Sequence, residues 1–378
     1  MSFGYTHTFP ALRGIQAGRE YYVAMCPLKL LPKIFLFDEA PIPPELRAQR
    51  TLNLARIPDI AHYILENRHD YAFSAITASI DGEVRFKPAG MEDGSDDVGI
   101  LIVPMSTRFV INDGQHRRAA IEKALEEQPD LGNETIAVVF YLDSGLQRSQ
   151  QLFADLNKHA VRPTQSLGIL YDNRDPLAGL ARDLSEQVFC FKGLTETAQT
   201  TISNRSVKLF TLSGIYQATV ALLGKRKNEK ISQEDQDLAL RFWTELGHTI
   251  PQWELAASHK VSSFELRRDY VHAHSVVLHA LGLVGGALTH EHPDDWQKYL
   301  SPLREVDWRR SNTGMWGGRA MTGGGRMSKV PQNVQLTANL LKIILGIMLT
   351  PEEARLEERY KQGIATTDSL PEHSLSSN

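Results

Sequence analysis

In the first half of the chain, short apolar runs alternate with polar breaks at intervals too small for long helices. Residues 19–27 and 33–37 read as strands broken by Pro27 and Pro32, since proline gives a β-ladder no N–H. Residues 45–67 change period. Leu46, Leu52, Leu54, Ile57, Ile60, Ala61 and Ile64 recur at helical spacing, with a break expected at Pro58. A strand over 73–80 ends at the turn Asp81-Gly82, an acidic loop covers 91–97, and a strand is expected at 109–113. A helix over 116–128 and a strand from Ile136 follow, so this half is mixed α and β.

Beyond residue 145 the period becomes helical, over 145–157, 176–189, 205–224, 234–248, 264–288 and 334–349. Ser232 followed by Asp235 resembles a capping start, and Gly224 a stop. Residues 313–326 are too rich in glycine to lie inside an element, and 363–378 are polar and aperiodic, as in a disordered tail. No repeat recurs at 20–50 residues. The expected class is α+β: a mixed domain over 1–165, a helical region over 166–362 and the tail.

Composition narrows the functional classes. With 378 residues, 42% hydrophobic and 23% charged, the chain has the balance of a soluble globular protein of two domains. No apolar run nears the ~20 residues that span a bilayer, and the N-terminus lacks the layout of a signal peptide. Cys26 and Cys190 are the only cysteines, which excludes a disulfide framework and a paired-cysteine zinc site and points to the cytoplasm. The net charge of −4 excludes a generally basic nucleic-acid coat. Charge is nevertheless uneven. Residues 1–165 carry 17 basic against 21 acidic residues, whereas 304–345 carry seven basic against two acidic. Within the latter stretch Arg304, Arg309, Arg310, Trp316, Arg319, Arg326 and Lys329 form a candidate DNA surface, with arginines for phosphates and a tryptophan for stacking. The competing reading is a surface loop whose tryptophans, Trp308 and Trp316, plug the helical core.

The candidate chemistry centres on Asp113-Gly114-Gln115-His116-Arg117. A strand, a glycine turn and a helix start bring backbone N–H groups and the positive helix end to one point, which suits an anion. Arg117 adds a fork that can grip phosphate. Arg118, one helical step of ~100° away, is expected to be solvated or a secondary contact.

These residues closely resemble the DGQHR-domain family, and within it the DndB-type regulators encoded with DNA phosphorothioation systems. Similar blocks recur at Gln151-Leu-Phe-Ala-Asp-Leu-Asn-Lys-His, Ser166-Leu-Gly-Ile-Leu-Tyr-Asp, Leu266-Arg-Arg and from Asp307-Trp-Arg-Arg to Trp316. The family is in turn similar to the ParB/sulfiredoxin fold, whose Gly-x-x-Arg box holds nucleotide phosphates. The resemblance implies that Gly114, Gln115, His116 and Arg117 bind phosphate, with Asp113 and His116 as candidate catalytic groups. Asn157 and Arg162 look similar to the Asn and Arg beside the ParB nucleotide, although their spacing is longer, and Lys158 offers a point charge. A polar helix end capped by Asn157 is the alternative. There is no Walker A loop, so ATP or another nucleotide would be held by the box, with Mg²⁺ at Asp113 or Asp155.

His272, His274 and His279 are expected to pack among aliphatic residues rather than bind metal. Cys26 reads as a small buried residue, or as a functional thiol in a sulfur-linked pathway. The resemblance implies a repressor that occupies double-stranded promoter DNA of its own cluster under nucleotide control. Contacts with other phosphorothioation proteins and a homo-oligomeric state belong to the same expectation. The alternatives are an ATPase or other DNA-acting enzyme, and a non-catalytic subunit of the modification machinery.

Overall fold

The computed structural model describes residues 5–35, 54–90, 96–144, 148, 151–152, 155–156 and 163–363. By its internal contacts the chain divides into two units, Met1–Val161 and Arg162–Asn378.

The first unit carries β1 (Thr6–Gln16), β2 (Arg19–Pro27), the short helix α1 (Leu31–Ile34) and α2 (Arg56–Glu66). It continues through β3 (Ile76–Asp81), β4 (Arg85–Pro88), β5 (Val98–Pro104), β6 (Arg108–Asp113), α3 (Gln115–Glu127) and β7 (Thr135–Leu142). The strands form one seven-stranded sheet in the order β4-β5-β1-β2-β7-β3-β6. Only the β3–β7 pairing is parallel. Ala17 (φ 50°) and Gly18 (φ 71°) both take left-handed backbone, the two-residue hairpin turn whose twist matches that of the flanking strands. Tyr22, Ala24 and Cys26 alternate into the core along β2, as Ile136, Val138 and Phe140 do along β7. Ile64 of α2 and Ile121 of α3 close the same core.

Two local expectations give way here. Ile34 belongs to a helical turn rather than a strand, because Pro32 sits in the first turn of α1, where a missing N–H goes unneeded. Pro58 likewise occupies the opening turn of α2 and breaks nothing.

The second unit is helical. It comprises α4 (Gln165–Tyr171), α5 (Pro176–Gln187), the strand pair β8 (Thr195–Glu196) and β9 (Phe210–Thr211), and α6 (Leu212–Leu223). Then come α7 (Gln233–Thr249), α8 (Pro251–Ala257), α9 (Ser263–Asp269), α10 (Ser275–Glu291), α11 (Thr313–Trp316), α12 (Pro331–Leu345) and α13 (Pro351–Lys361). Ser232 and Asp235 form a reciprocal capping box on α7, and Gly224 ends α6 in left-handed backbone. The continuous helix expected over 264–288 is two helices, with a break at residues 270–274. The helix expected from 205 starts only at Leu212.

All five tryptophans lie in this unit's core, none more than 2% exposed. Helices α6 and α10 meet backbone to backbone: a Cβ on Gly282 would fall 2.1 Å from Ala218 O. Only glycine permits that approach. Among the described residues no helix is long and apolar enough to cross a membrane.

Candidate functional site

Strand β6 delivers Asp113 to the edge of the sheet and α3 begins two residues later. Gly114 makes the corner at φ 102°, a conformation that L side chains rarely adopt. A Cβ there would also lie 3.1 Å from Ile76 Cγ1. The Gly114 carbonyl accepts the Arg118 N–H at 2.9 Å, so the N–H groups of residues 115–117 belong to the unpaired opening turn.

Arg117 curls back over this corner. Its Nη2 donates to Asp113 Oδ2 at 2.5 Å. Its Nη1 donates to Ser74 O at 2.6 Å, to Ala75 O at 3.0 Å and to Ser74 Oγ. The guanidinium thereby ties the β6–α3 turn to the segment preceding β3, and most of its donors are taken by protein acceptors. A phosphate arriving here would meet an Asp113–Arg117 pair of nearly balanced charge.

His116 is half-buried, and its pKa is lowered by burial first and then by Arg56, with Asp113 opposing. A neutral imidazole at neutral pH can accept a proton. Arg56 was not singled out from the sequence, because only the packing of α2 on α3 brings it near His116. Gln115 sends its amide to Ile111 O at 3.4 Å. The Asp113 side chain is 46% exposed. Among the described residues no three His, Cys, Asp or Glu are grouped to hold a metal ion. Magnesium at Asp113 would therefore be completed by phosphate oxygens and water, the usual arrangement for that ion. Asp155 is exposed and accepts Gln151 Nε2 at 2.6 Å. Asn157, Lys158 and Arg162 lie outside the described residues.

Arg118 corrects the expectation of a solvated residue. It is 3% exposed, pairs with Glu122 and donates to Pro32 O at 3.2 Å. The step that turns it away from Arg117 turns it into the protein. Cys26 is fully buried beside Pro27 O, and burial pushes its thiol up to about 12. At neutral pH it is a protonated core residue, and a functional thiolate there would first need uncovering.

The basic stretch of the second unit separates into inward and outward residues. Trp316 is fully buried, donates from Nε1 to Asp307 O at 2.9 Å and stacks on Trp308 at 5.4 Å. Both tryptophans plug the core, so Trp316 is not available to stack on a base. Arg319 is also withdrawn: it pairs with buried Glu357 and lies 4.3 Å over the Tyr360 ring. Arg310 donates to Gly325 O at 3.0 Å and reaches the carbonyls of Arg267 and Arg268. Arg304, Arg309, Arg326 and Lys329 are exposed. Arg304 donates to His248 O at 3.3 Å, and Asp307 holds Arg309 through Nε at 2.8 Å.

The three histidines are packing residues. His272 accepts the Trp253 indole N–H at Nδ1, 3.0 Å away, and burial lowers its pKa to about 3. His274 Nε2 lies 2.8 Å from Arg267 O. Burial also lowers the His279 pKa.

A family model, DndB, described as DNA-sulfur modification-associated, matches residues 9–348. No curated protein and no solved structure matches the chain.

Proposed function

Since the chain belongs to the DndB family and is thus tied to DNA phosphorothioation, we propose that it is a DNA-binding regulator that represses a phosphorothioate-modification gene cluster. The observation that carries this reading is the family match over residues 9–348, which takes in both units. It is supported by Arg304, Arg309 and Arg326, exposed cations in a stretch where base outnumbers acid. The turn over Gly114 serves as a control input. Because Arg117 already balances Asp113, the nucleotide arrives with its own Mg²⁺, which Asp113 helps to hold while the first turn of α3 faces the phosphates.

Gel shift with a fragment from upstream of the gene cluster and a scrambled fragment, at matched salt, tests the reading. The regulator prefers its own promoter. Equal affinity for both fragments leaves only nonspecific attachment and removes the repressor role. For the control input, calorimetric titration of ATP and CTP into wild type and Arg117→Ala should show weaker binding to the variant.

A further inference from the structure

The second unit contains a groove of about 720 Å³ that the reading above does not use. Its wall brings together residues far apart in sequence: Arg267 and Arg268 of α9, His274 and Ser275 at the start of α10, Arg310, and Lys329. Four of its lining residues are Arg or Lys, and among the described residues lining it there is no carboxylate. Arg268 has an outside partner in Asp269, at 2.7 Å. The other three cations have no ion pair among the described residues.

Arg267, 9% exposed, is held by carbonyls alone, those of Ser203 and Ser206 at 3.0 Å and those of Lys208 and Asn204. Arg310 is likewise bound to carbonyls. Lys329 keeps an exposed side chain, yet the protein around it withdraws enough water to lower the ammonium's pKa. Asp269 offsets Arg268 and, at longer range, Arg310, while Arg267 and Lys329 have no ion pair among the described residues. Cations so clustered repel one another, and an anion between them relieves that repulsion. The opening turn of the 17-residue helix α10 adds its positive end to the same wall.

The rest of the lining is different in character. Phe264 is 40% exposed, with the Arg268 guanidinium 5.7 Å from its ring centroid. Leu209, Val276 and Met327 make an apolar floor, and Thr200, Thr201 and Asn204 offer hydroxyls and an amide. A cationic end beside an aromatic and apolar surface, at a volume typical of small-molecule sites, fits phosphate at one end and a base at the other.

We propose that this groove binds a phosphate-bearing mononucleotide, with the phosphates at Arg267, Arg310, Lys329 and the start of α10 and the base against Phe264. The duplex is the less suitable occupant. Arg267 and His274 sit at depth, where a small molecule reaches them and the convex backbone of a helix does not.

Calorimetry on the full chain with ATP, AMP, adenosine and inorganic phosphate tests the site. Wild type should bind ATP and AMP and bind adenosine at least about tenfold more weakly, since the cations face phosphate. Lys329→Glu should weaken ATP at the groove about tenfold or more. Arg117→Ala, which weakens only the separate site at the turn over Gly114, should leave the groove's binding of ATP and AMP in place. Phe264→Ala, at an exposed rim position, should weaken AMP while leaving inorganic phosphate unchanged. The proposal is overturned if wild type binds neither ATP nor AMP, if adenosine binds as well as AMP, or if folded Lys329→Glu binds ATP like wild type. It is equally overturned if Arg117→Ala alone abolishes binding, which would move the nucleotide to the turn over Gly114. Gel shift on the same variants reads DNA binding separately.

Discussion

Arg319 and Glu357 form a two-pronged ion pair inside the second unit, with Nη1 donating to Glu357 Oε2 at 2.9 Å and Nη2 to Oε1. Both residues are nearly sealed from solvent, at 6% and 3% exposure, and Arg319 also donates to Leu336 O at 2.7 Å. The pair joins the glycine-rich stretch to α12 and α13. Removing one partner strands the other charge in the interior, a loss of about 3–5 kcal/mol. Glu357→Ala and Arg319→Ala should each lower the denaturation midpoint by a corresponding amount, measured in urea. A shift within experimental error in both variants would mean that the pair is open in solution.

Loss of the corner at Gly114 should act through the fold before it acts on any ligand. Gly114→Ala places a methyl in left-handed backbone against Ile76 and should cost on the order of 1–3 kcal/mol. Arg117→Lys keeps the charge but gives up the fork that reaches Asp113, Ser74 and Ala75 together. Hydrogen exchange at the start of α3 should therefore quicken in Arg117→Lys. Unchanged protection there would show that the arginine does not brace the turn.

Acid should unfold the second unit through its histidines. The folded pKa of His272 is about 3 and that of His274 about 4, both lowered mainly by burial from 6.5. Between about pH 4 and 6.5 the unfolded chain binds protons that the native state refuses. Stability is then fully present above 6.5 and is lost as pH falls, by up to about 1.4 kcal/mol per pH unit for each histidine. His272→Gln retains an acceptor for the Trp253 indole and removes one of these protons. Its melting temperature should depend less steeply on pH between 6.5 and 4.5, and a slope equal to wild type would contradict the burial of this ring.

Neither thiol should react while the protein is folded. Cys26 and Cys190 are fully buried, and burial raises both pKa values. Titration with a thiol-specific chromophoric reagent at pH 8 should be silent in buffer and report both cysteines in denaturant. Rapid labelling in buffer would place a cysteine at the surface.

If the basic stretch grips DNA, it does so with fewer residues than its composition offers. Arg319 is spent on Glu357 and Arg310 lies in the groove wall, leaving Arg304, Arg309 and Arg326 as the outward arginines. The triple alanine variant should flatten the slope of log K against log salt by up to about 2.7, at roughly 0.9 per phosphate neutralised. An unchanged slope would put the DNA surface elsewhere on the protein.

The sequence made the strand–turn–helix around Gly114, the capping of α7 and the end of α6 legible, because each is written in adjacent residues. Strand β1 was missed because it is half-exposed and leaves only Phe9 and Ala11 fully inward, too few to set a period. For Trp316, arginine-flanked and glycine-flanked, composition could not separate a stacking surface from a core plug. The bond from its indole to Asp307 O depends on tertiary packing. Arg118 shows the same limit, since the face it occupies turns inward only because Pro32 lies opposite. The groove is the extreme case. Its lining is drawn from residues 200–329, and Leu266-Arg-Arg, readable only as a family-like block, supplies two of its cations.

The contact at Gly282 has a consequence for that groove. Because Ala218 O would stand 2.1 Å from any Cβ there, α10 cannot be lifted off α6 or slid along it without losing a close-packed seam. The opening turn of α10 is thus anchored before any ligand arrives, and the chain has already met the entropy cost of arranging that wall. A molecule entering the groove would find this wall already in place, so none of its binding energy would go into ordering the start of α10.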